Sequence, residues 1–176
     1  MPTRDMLAAA LLGPGDLPAG FTVTAPPNGL GDSSLSGCPP LSTDPPGASA
    51  TVSVALLSNA QGAAITETLV QLPAAAATAA MANFTALPTT CRMFSGVVQG
   101  IPVAFTTAPL PLGPFGDAMA SVRITATLGS VTVDEDVVVV RHGSTVIFVV
   151  NAGTSGNSGL TSTAARAAVT RVTARW

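Results

Sequence analysis

Apolar and polar residues alternate most regularly between positions 118 and 128. Even-numbered positions in this stretch carry small or apolar side chains, and most odd-numbered positions carry polar ones. A period of two is typical of a half-buried strand with a polar outer face. Gly129-Ser130 then fits a two-residue turn with glycine at its first position. The pattern therefore predicts a hairpin in which 118–128 pairs with 131–141.

A second turn, at positions 142–143, is predicted to lead into a third strand. The two turns together predict the register of the three strands. The first turn places Arg123 opposite Asp136, and the opposite charges support this pairing. The second turn places Val139 opposite Val146.

Shorter patterns predict four more strands and three helices. The strands are expected at 21–24, 51–58, 64–72 and 97–106, with the second and third forming a hairpin. Gly100 and Pro102 interrupt the fourth, so it is expected to be bent or to lie at an edge. The helices are expected at 3–12, 74–87 and 159–175. This order of elements predicts an α+β fold, with a few helices packed on an antiparallel sheet.

Charged residues are scarce, at 9% of the 176 positions against about 25% in an average soluble domain. The seven basic residues are all arginine, and the net charge is −2. A nucleic-acid binder needs a basic stripe to neutralise phosphates, so this class of partner is excluded. Apolar residues make up 47% of the chain, which excludes a disordered protein. The length predicts a single domain over 1–176.

No apolar run in the chain approaches the roughly 20 residues that a membrane-spanning helix needs. The apolar stretch Met6–Leu12 is short for a secretion signal, and no cleavage site follows it. If the protein is exported, we expect a signal, or a lipid or membrane anchor, to have been trimmed from this chain.

Cys38 and Cys91 are the two cysteines, and each lies beside a loop signal. With one histidine and no CxxC pair, the chain offers no zinc site, so we expect neither a metal nor a cofactor. The cysteines form either one disulfide or two buried thiols in a cytosolic protein. Their placement in loops favours the disulfide, which would stabilise the fold by roughly 4 kcal/mol and implies an oxidising compartment.

His142 is the one side chain suited to general acid–base catalysis near neutral pH. No GxSxG or other nucleophile motif accompanies it. Its position before Gly143 is explained by a hairpin turn in which the histidine itself adopts a positive φ. We therefore expect no catalytic residue in this chain.

The one acidic run is Asp134-Glu135-Asp136. Strand alternation puts Asp134 and Asp136 on one face and Glu135 on the other, so the three cannot ligate one calcium ion without a bulge. The predicted register places Glu135 opposite Ile124, on the otherwise apolar face, where a carboxylate is costly unless it is paired or protonated. Glu135 thus marks a strand end open to water, a bulge, or the lining of a cleft.

Arg141 falls on the same strand face as Glu135. It is a candidate cation for an acidic ligand, and the simpler interpretation is a charge at a strand terminus. Together with the predicted pair of Arg123 and Asp136, these residues make up the candidate ligand-binding set, which is Glu135, Arg141, Arg123 and Asp136.

Three segments, Leu11–Phe21, Phe84–Phe94 and Asp136–Val146, together with the alanine-rich C-terminal helix, resemble one family. It comprises actinobacterial extracellular domains, among them the sensor domains of mycobacterial serine/threonine kinases of the PknH type and related small lipoproteins. The resemblance implies an extracytoplasmic α+β domain with a twisted antiparallel sheet, a cleft and disulfide bonding. The kinase sensor domain carries two disulfides and this chain has cysteines for one, so the family cleft is expected to be altered.

The resemblance further implies sensing of a ligand or partner at the cell envelope. We therefore predict a non-enzymatic sensor-type domain that binds an unknown envelope ligand or protein. The alternative is a carrier of lipids or other hydrophobic envelope molecules, since a mean hydropathy of +0.52 is compatible with a large apolar cavity. A purely structural envelope module and an enzyme are less favoured.

Overall fold

Eight strands form one antiparallel sheet in the computed structural model, which describes residues 1–25, 35–98, 100–153 and 156–176. The strands are β1 Thr22–Thr24, β2 Ala50–Ser58, β3 Ala63–Gln71, β4 Met93–Val98, β5 Ile101–Pro109, β6 Ala118–Leu128, β7 Val131–His142 and β8 Thr145–Gly153. The helices are α1 Arg4–Ala10, α2 Pro39–Ser42, α3 Ala74–Thr85, α4 Leu87–Thr90 and α5 Ser158–Thr173, with a short 3₁₀ helix at Pro14–Asp16. The predicted α+β class is confirmed.

The strands lie in the order β1-β2-β3-β8-β7-β6-β5-β4, and all neighbours are antiparallel. Neighbouring strands are consecutive in the chain except at one seam, where residues 63–71 of β3 pair with residues 145–153 of β8. Two strands that are far apart in the chain therefore meet in the middle of the sheet. The edges are β1 and β4.

The register across the first predicted turn is confirmed, including Arg123 opposite Asp136. The register across the second turn is wrong by two residues, because Val139 pairs with Phe148 rather than with Val146. Gly143, with a φ of 57°, takes the left-handed conformation, and the histidine before it stays in the strand. A shift of two leaves every side chain on its predicted face.

The segment 97–106, predicted as one bent strand, is a hairpin of two. β4 and β5 pair antiparallel up to Val98 and Ile101, and Gly100 between them has a φ of 81°. An L-residue with a side chain rarely adopts this conformation, so the glycine reverses the chain rather than bending it. The predicted edge position holds for β4.

The three predicted helices are present with different ends. The first is shorter than 3–12, and the second ends at Thr85. Pro88 lies in the first turn of the short α4, where its missing N–H is tolerated. The buried residues of α5 include Leu160, Ala164, Ala168 and Val172, which recur every four residues along one side of the helix.

Helices cover both faces of the sheet. α1 and α5 lie on one face, in a buried cluster that includes Leu7, Leu56, Ile65, Leu69, Val138, Ile147, Val149 and Ala168. α3 and α4 lie on the other face, in a cluster that includes Val70, Met81, Leu87, Phe105, Ile124, Val139 and Val146. Phe84 of α3 meets Phe148 of β8 edge to face there, with ring centroids 5.1 Å apart. The sheet therefore separates two apolar cores.

The disulfide between Cys38 and Cys91 is confirmed, with Cα atoms 5.7 Å apart. It joins the start of α2 to the residue that follows α4, close to the edge strand β4. Gly37 passes so near to β4 that an added Cβ would clash with the carbonyl oxygen of Ser95. Only glycine permits this approach, so the bridged segment covers part of an exposed sheet edge.

We predict that the double variant Cys38→Ser, Cys91→Ser loses roughly 4 kcal/mol of unfolding free energy, because the unfolded chain regains the entropy of the closed loop. Urea denaturation followed by far-UV circular dichroism measures this loss. Reduced wild-type protein is the matched control and should show the same loss. A difference below about 1 kcal/mol would mean that the bridge adds little to the fold.

Candidate functional site

The charged residues of β6 and β7 form an ion pair on one face of the sheet. Nε of Arg123 donates to Oδ1 of Asp136 over 2.7 Å, and Nη2 donates to Oδ2 over 3.1 Å. Asp136 is only 1% exposed. The two-pronged hydrogen bond to this carboxylate raises the pKa of the Arg123 guanidinium, which favours its charged form.

The ion pair also holds the start of α5. The hydroxyl of Thr161 donates to Oδ2 of Asp136 over 2.7 Å, and the amide of Asn151 donates to the same hydroxyl over 2.9 Å. Asn157 caps the helix, accepting from the N–H of Leu160 over 3.0 Å. A carboxylate beside a helix N-terminus is further favoured by the helix dipole. Arg123 and Asp136, two of the four candidate ligand residues, therefore position a helix.

Glu135 points to the opposite face, as predicted, with Ile124 and Ala152 as its cross-strand neighbours. It is half-buried and has polar or electrostatic contacts within the protein. Its neighbours Ile124 and Val150 belong to the cluster covered by α3 and α4. The structure thus puts one carboxylate at the border of an apolar core.

Arg141 lies six residues further along β7, about 20 Å from Glu135 at the usual strand rise. It is half-buried, and its Nη1 approaches the carbonyl oxygen of Gly143 at 3.5 Å. Asp117 braces the same turn by accepting from the N–H of Gly143 over 2.7 Å. The four candidate residues are therefore not one cluster, since Arg141 lies near the end of β7 and far from Glu135.

His142 is the last residue of β7, and its Nε2 lies 3.3 Å from the carbonyl oxygen of Trp176. The prediction that it occupies the turn is wrong, because Gly143 supplies the positive φ. A shallow surface groove of about 400 Å³ adjoins it, lined in part by Met6 and Thr145. In the described ranges, no three His, Cys, Asp or Glu side chains are grouped so that they could hold a metal ion.

The most unusual carboxylate, Glu67, was missed in the sequence. It lies in the middle of β3 and is 0% exposed. Its Oε2 accepts from the N–H of Leu12 over 2.6 Å, and its Oε1 has no hydrogen-bond partner. Burial raises the pKa of Glu67 from 4.5 to about 8, outweighing the hydrogen bond from Leu12, which lowers it.

Two charged residues near Glu67, Asp16 and Arg171, form an ion pair with each other. Nη1 of Arg171 lies 3.3 Å from Oδ2 of Asp16, and Asp16 accepts from the N–H of Gly13 over 2.7 Å. Arg171 also donates to the carbonyl oxygens of Ala9 and Ala10, each over 3.2 Å. The end of α1 is thus held by α5 from one side and by Glu67 from beneath.

A sequence signal for Glu67 exists. The residue stands between Ile65 and Leu69, at the middle of three alternate positions, and both neighbours are fully buried. In a strand, residues i and i+2 share a face, so a carboxylate there is placed in the core. The acidic run 134–136 is the more visible feature of the sequence. A single acidic residue that interrupts an apolar strand face is the more specific signal of a buried carboxylate.

Comparison with known proteins finds a similar solved structure. No family model and no curated protein matches the chain. The crystal structure of the extracellular domain of PknH from Mycobacterium tuberculosis matches with a TM-score of 0.74, over 98% of this chain and 97% of that one. The chain has the fold of a kinase extracellular domain. Sequence identity to the PknH domain is 14%.

The PknH fold confirms the structural resemblance expected from the three sequence segments. The closed disulfide is consistent with an extracytoplasmic location. None of the helices in the described part of the chain has the length and apolar character to cross a membrane.

We predict that Asp136→Asn lowers the free energy of unfolding by about 2 kcal/mol, because Arg123 loses its charged partner and Thr161 its acceptor. Urea denaturation at neutral pH measures the change. Asp134→Asn is the matched control, since this half-buried residue accepts one hydrogen bond, from Thr125, and should lose less than about 1 kcal/mol. Equal losses would contradict the assigned role of the network.

We predict that Glu67→Gln removes a pH dependence of stability. The folded-state pKa is raised, so the stability that Glu67 contributes is fully present below pH 4.5 and is lost as the pH rises to about 8. The expected loss is about 1.4 kcal/mol per pH unit relative to the variant. Urea denaturation of both proteins across this range measures the difference. Parallel profiles would show that Glu67 is already ionised in the folded state.

Proposed function

We propose that this chain is a non-enzymatic, sensor-type binding domain that acts outside the cytoplasmic membrane, at the outer side of an actinobacterial cell envelope. The observation that carries this proposal is the match to the PknH extracellular domain over almost the whole of both chains. The disulfide supports it, because such bonds persist in oxidising compartments.

The contacts of the polar residues support binding rather than catalysis. Asp136 is engaged by Arg123 and Thr161, and the His142 ring faces a backbone carbonyl. These interactions hold elements of the fold together. The contacts of Asp136 and His142 thus stabilise the fold. A binding surface on such a fold needs a suitable shape and a few polar contacts.

We place the binding surface around Glu135. Its carboxylate is half-buried at the border of the apolar face that carries Ile124 and Val150. A ligand or partner with an amine or hydroxyl group beside an apolar portion matches this chemistry. Arg141, about 20 Å away on the same strand face, would contact only an extended ligand or a protein partner.

A carrier of hydrophobic envelope molecules is not favoured by any observation in the described residues. A carrier needs a deep apolar cavity. Two of the larger grooves that these residues form, of about 520 and 440 Å³, are open at the surface and lined partly by charged side chains of Asp5, Arg175, Asp16 and Arg166.

We predict that the oxidised protein, incubated with a solvent extract of mycobacterial cell envelope, retains one discrete adduct in native mass spectrometry. Glu135→Gln should lose this adduct because the carboxylate supplies the polar contact. Asp134→Asn, one residue away on the other face, is the matched control and should keep it.

Three other outcomes would change the proposal. A ladder of lipid masses, insensitive to Glu135→Gln, would favour the carrier. A discrete adduct that survives Glu135→Gln would place the ligand elsewhere on the domain. The absence of any adduct, with the disulfide intact in the measured mass, would contradict binding of a small envelope ligand.

A further inference from the structure

Glu67 lies beneath the junction between α1 and the 3₁₀ helix. The strands beside it present Val54 and Val149 at its paired positions, and neither β2 nor β8 contains a titratable residue. α1 packs Leu7 and Ala10 into the same core, while its charged residues Arg4 and Asp5 are exposed.

The charged groups that face Glu67 are Asp16 of the 3₁₀ helix and Arg171 of α5. Asp16 raises the pKa of Glu67 and Arg171 lowers it, and both effects are smaller than that of burial. Arg166, the other arginine of α5, and Arg175, just after the helix, are exposed, and Arg166 stacks over Phe115 at 5.3 Å. The charge state of Glu67 is thus governed mainly by whether α1 and the 3₁₀ helix exclude water from it.

Residues 3–17, which contain α1 and the 3₁₀ helix, offer Glu67 too few hydrogen bonds for an ionised carboxylate. A carboxylate has two oxygens with about four acceptor positions. The N–H of Leu12 fills one of them, and Oε1 has no donor. Water would supply the missing donors as soon as the segment moved away. Docking and proton binding are therefore coupled, because the docked form favours the neutral acid.

We propose that residues 3–17, which contain α1 and the 3₁₀ helix, form a proton-controlled latch that stays docked on the sheet while Glu67 carries a proton and opens more often once the proton is lost. This inference does not depend on the ligand-binding proposal.

The direction and the range of the response follow from the two states of Glu67. Its pKa is about 8 when docked, against 4.5 when solvated. Between these values the docked form holds one proton more, so each pH unit of increase raises the opening constant about tenfold. Below and above the range the constant is flat. Arg171 binds Ala9, Ala10 and Asp16 in the docked form.

The composition of the chain makes this response separable from other titrations. The sequence contains no lysine and no tyrosine, and both cysteines are in the disulfide. The side chains that ordinarily ionise between about pH 8 and pH 11 are therefore absent. The amino terminus and His142 are shared by wild type and variant, so they cancel in a comparison.

Hydrogen–deuterium exchange of the α1 amides, measured from pH 5 to pH 8 and corrected for intrinsic exchange, tests the latch. We expect wild-type protection of α1 to fall about tenfold per pH unit. We also expect it to be lower than that of β8 and to depend weakly on added urea, as for local opening. Glu67→Gln, which keeps an acceptor for Leu12, should give α1 protection independent of pH. Asp134→Asn should behave as wild type, because the partner of this carboxylate is Thr125 of β6.

Two results would overturn the latch. One is α1 protection that does not change with pH in the wild type, a result that requires no variant to fold. The other is α1 protection equal to that of β8 with the same urea dependence, because α1 would then open only when the whole sheet unfolds.

Discussion

The backbone ladder between β3 and β8 joins the N-terminal hairpin to the three C-terminal strands, and both cores are built across it. On one face, Ile65 and Ile147 lie on the two sides of this seam beneath α1 and α5. On the other face, Val70 and Phe148 lie on its two sides beneath α3. Since each core takes side chains from both strands, neither can close until the seam has formed.

Several charged residues in this protein hold helices in place against the sheet. The start of α5 is tied to Asp136, and the end of α1 is tied to Arg171 and Glu67. Both helices cover the same apolar core, and hydrophobic contacts are non-directional. The few polar contacts therefore select one orientation of each helix, at the cost of burying the carboxylate of Glu67.

The sequence predicted the local features of the fold better than its long-range features. The register of the β6–β7 hairpin was predictable because Gly129-Ser130 fits a two-residue turn and because this turn places Arg123 opposite Asp136. The second register was not, because the run Val137–Val140 pairs equally well in several registers. The periodicity of the sequence does not indicate that β3 pairs with β8, because strand order is not a local property of the chain. Glu67 was detectable from its apolar neighbours, but its partner Leu12 is 55 residues away in the chain.

The position of the seam has a consequence for the order in which the chain assembles. β3 and β8 are separated by two helices and four strands, so their pairing requires closure of a long loop and is expected to be slow. The segment between Cys38 and Cys91 contains β2, β3 and α3 and can be closed by oxidation before β8 arrives. Until then one side of β3 is an open edge, which would accept a strand from another chain. Early oxidation confines that edge within a covalent ring and so limits the time in which nascent chains can pair with one another.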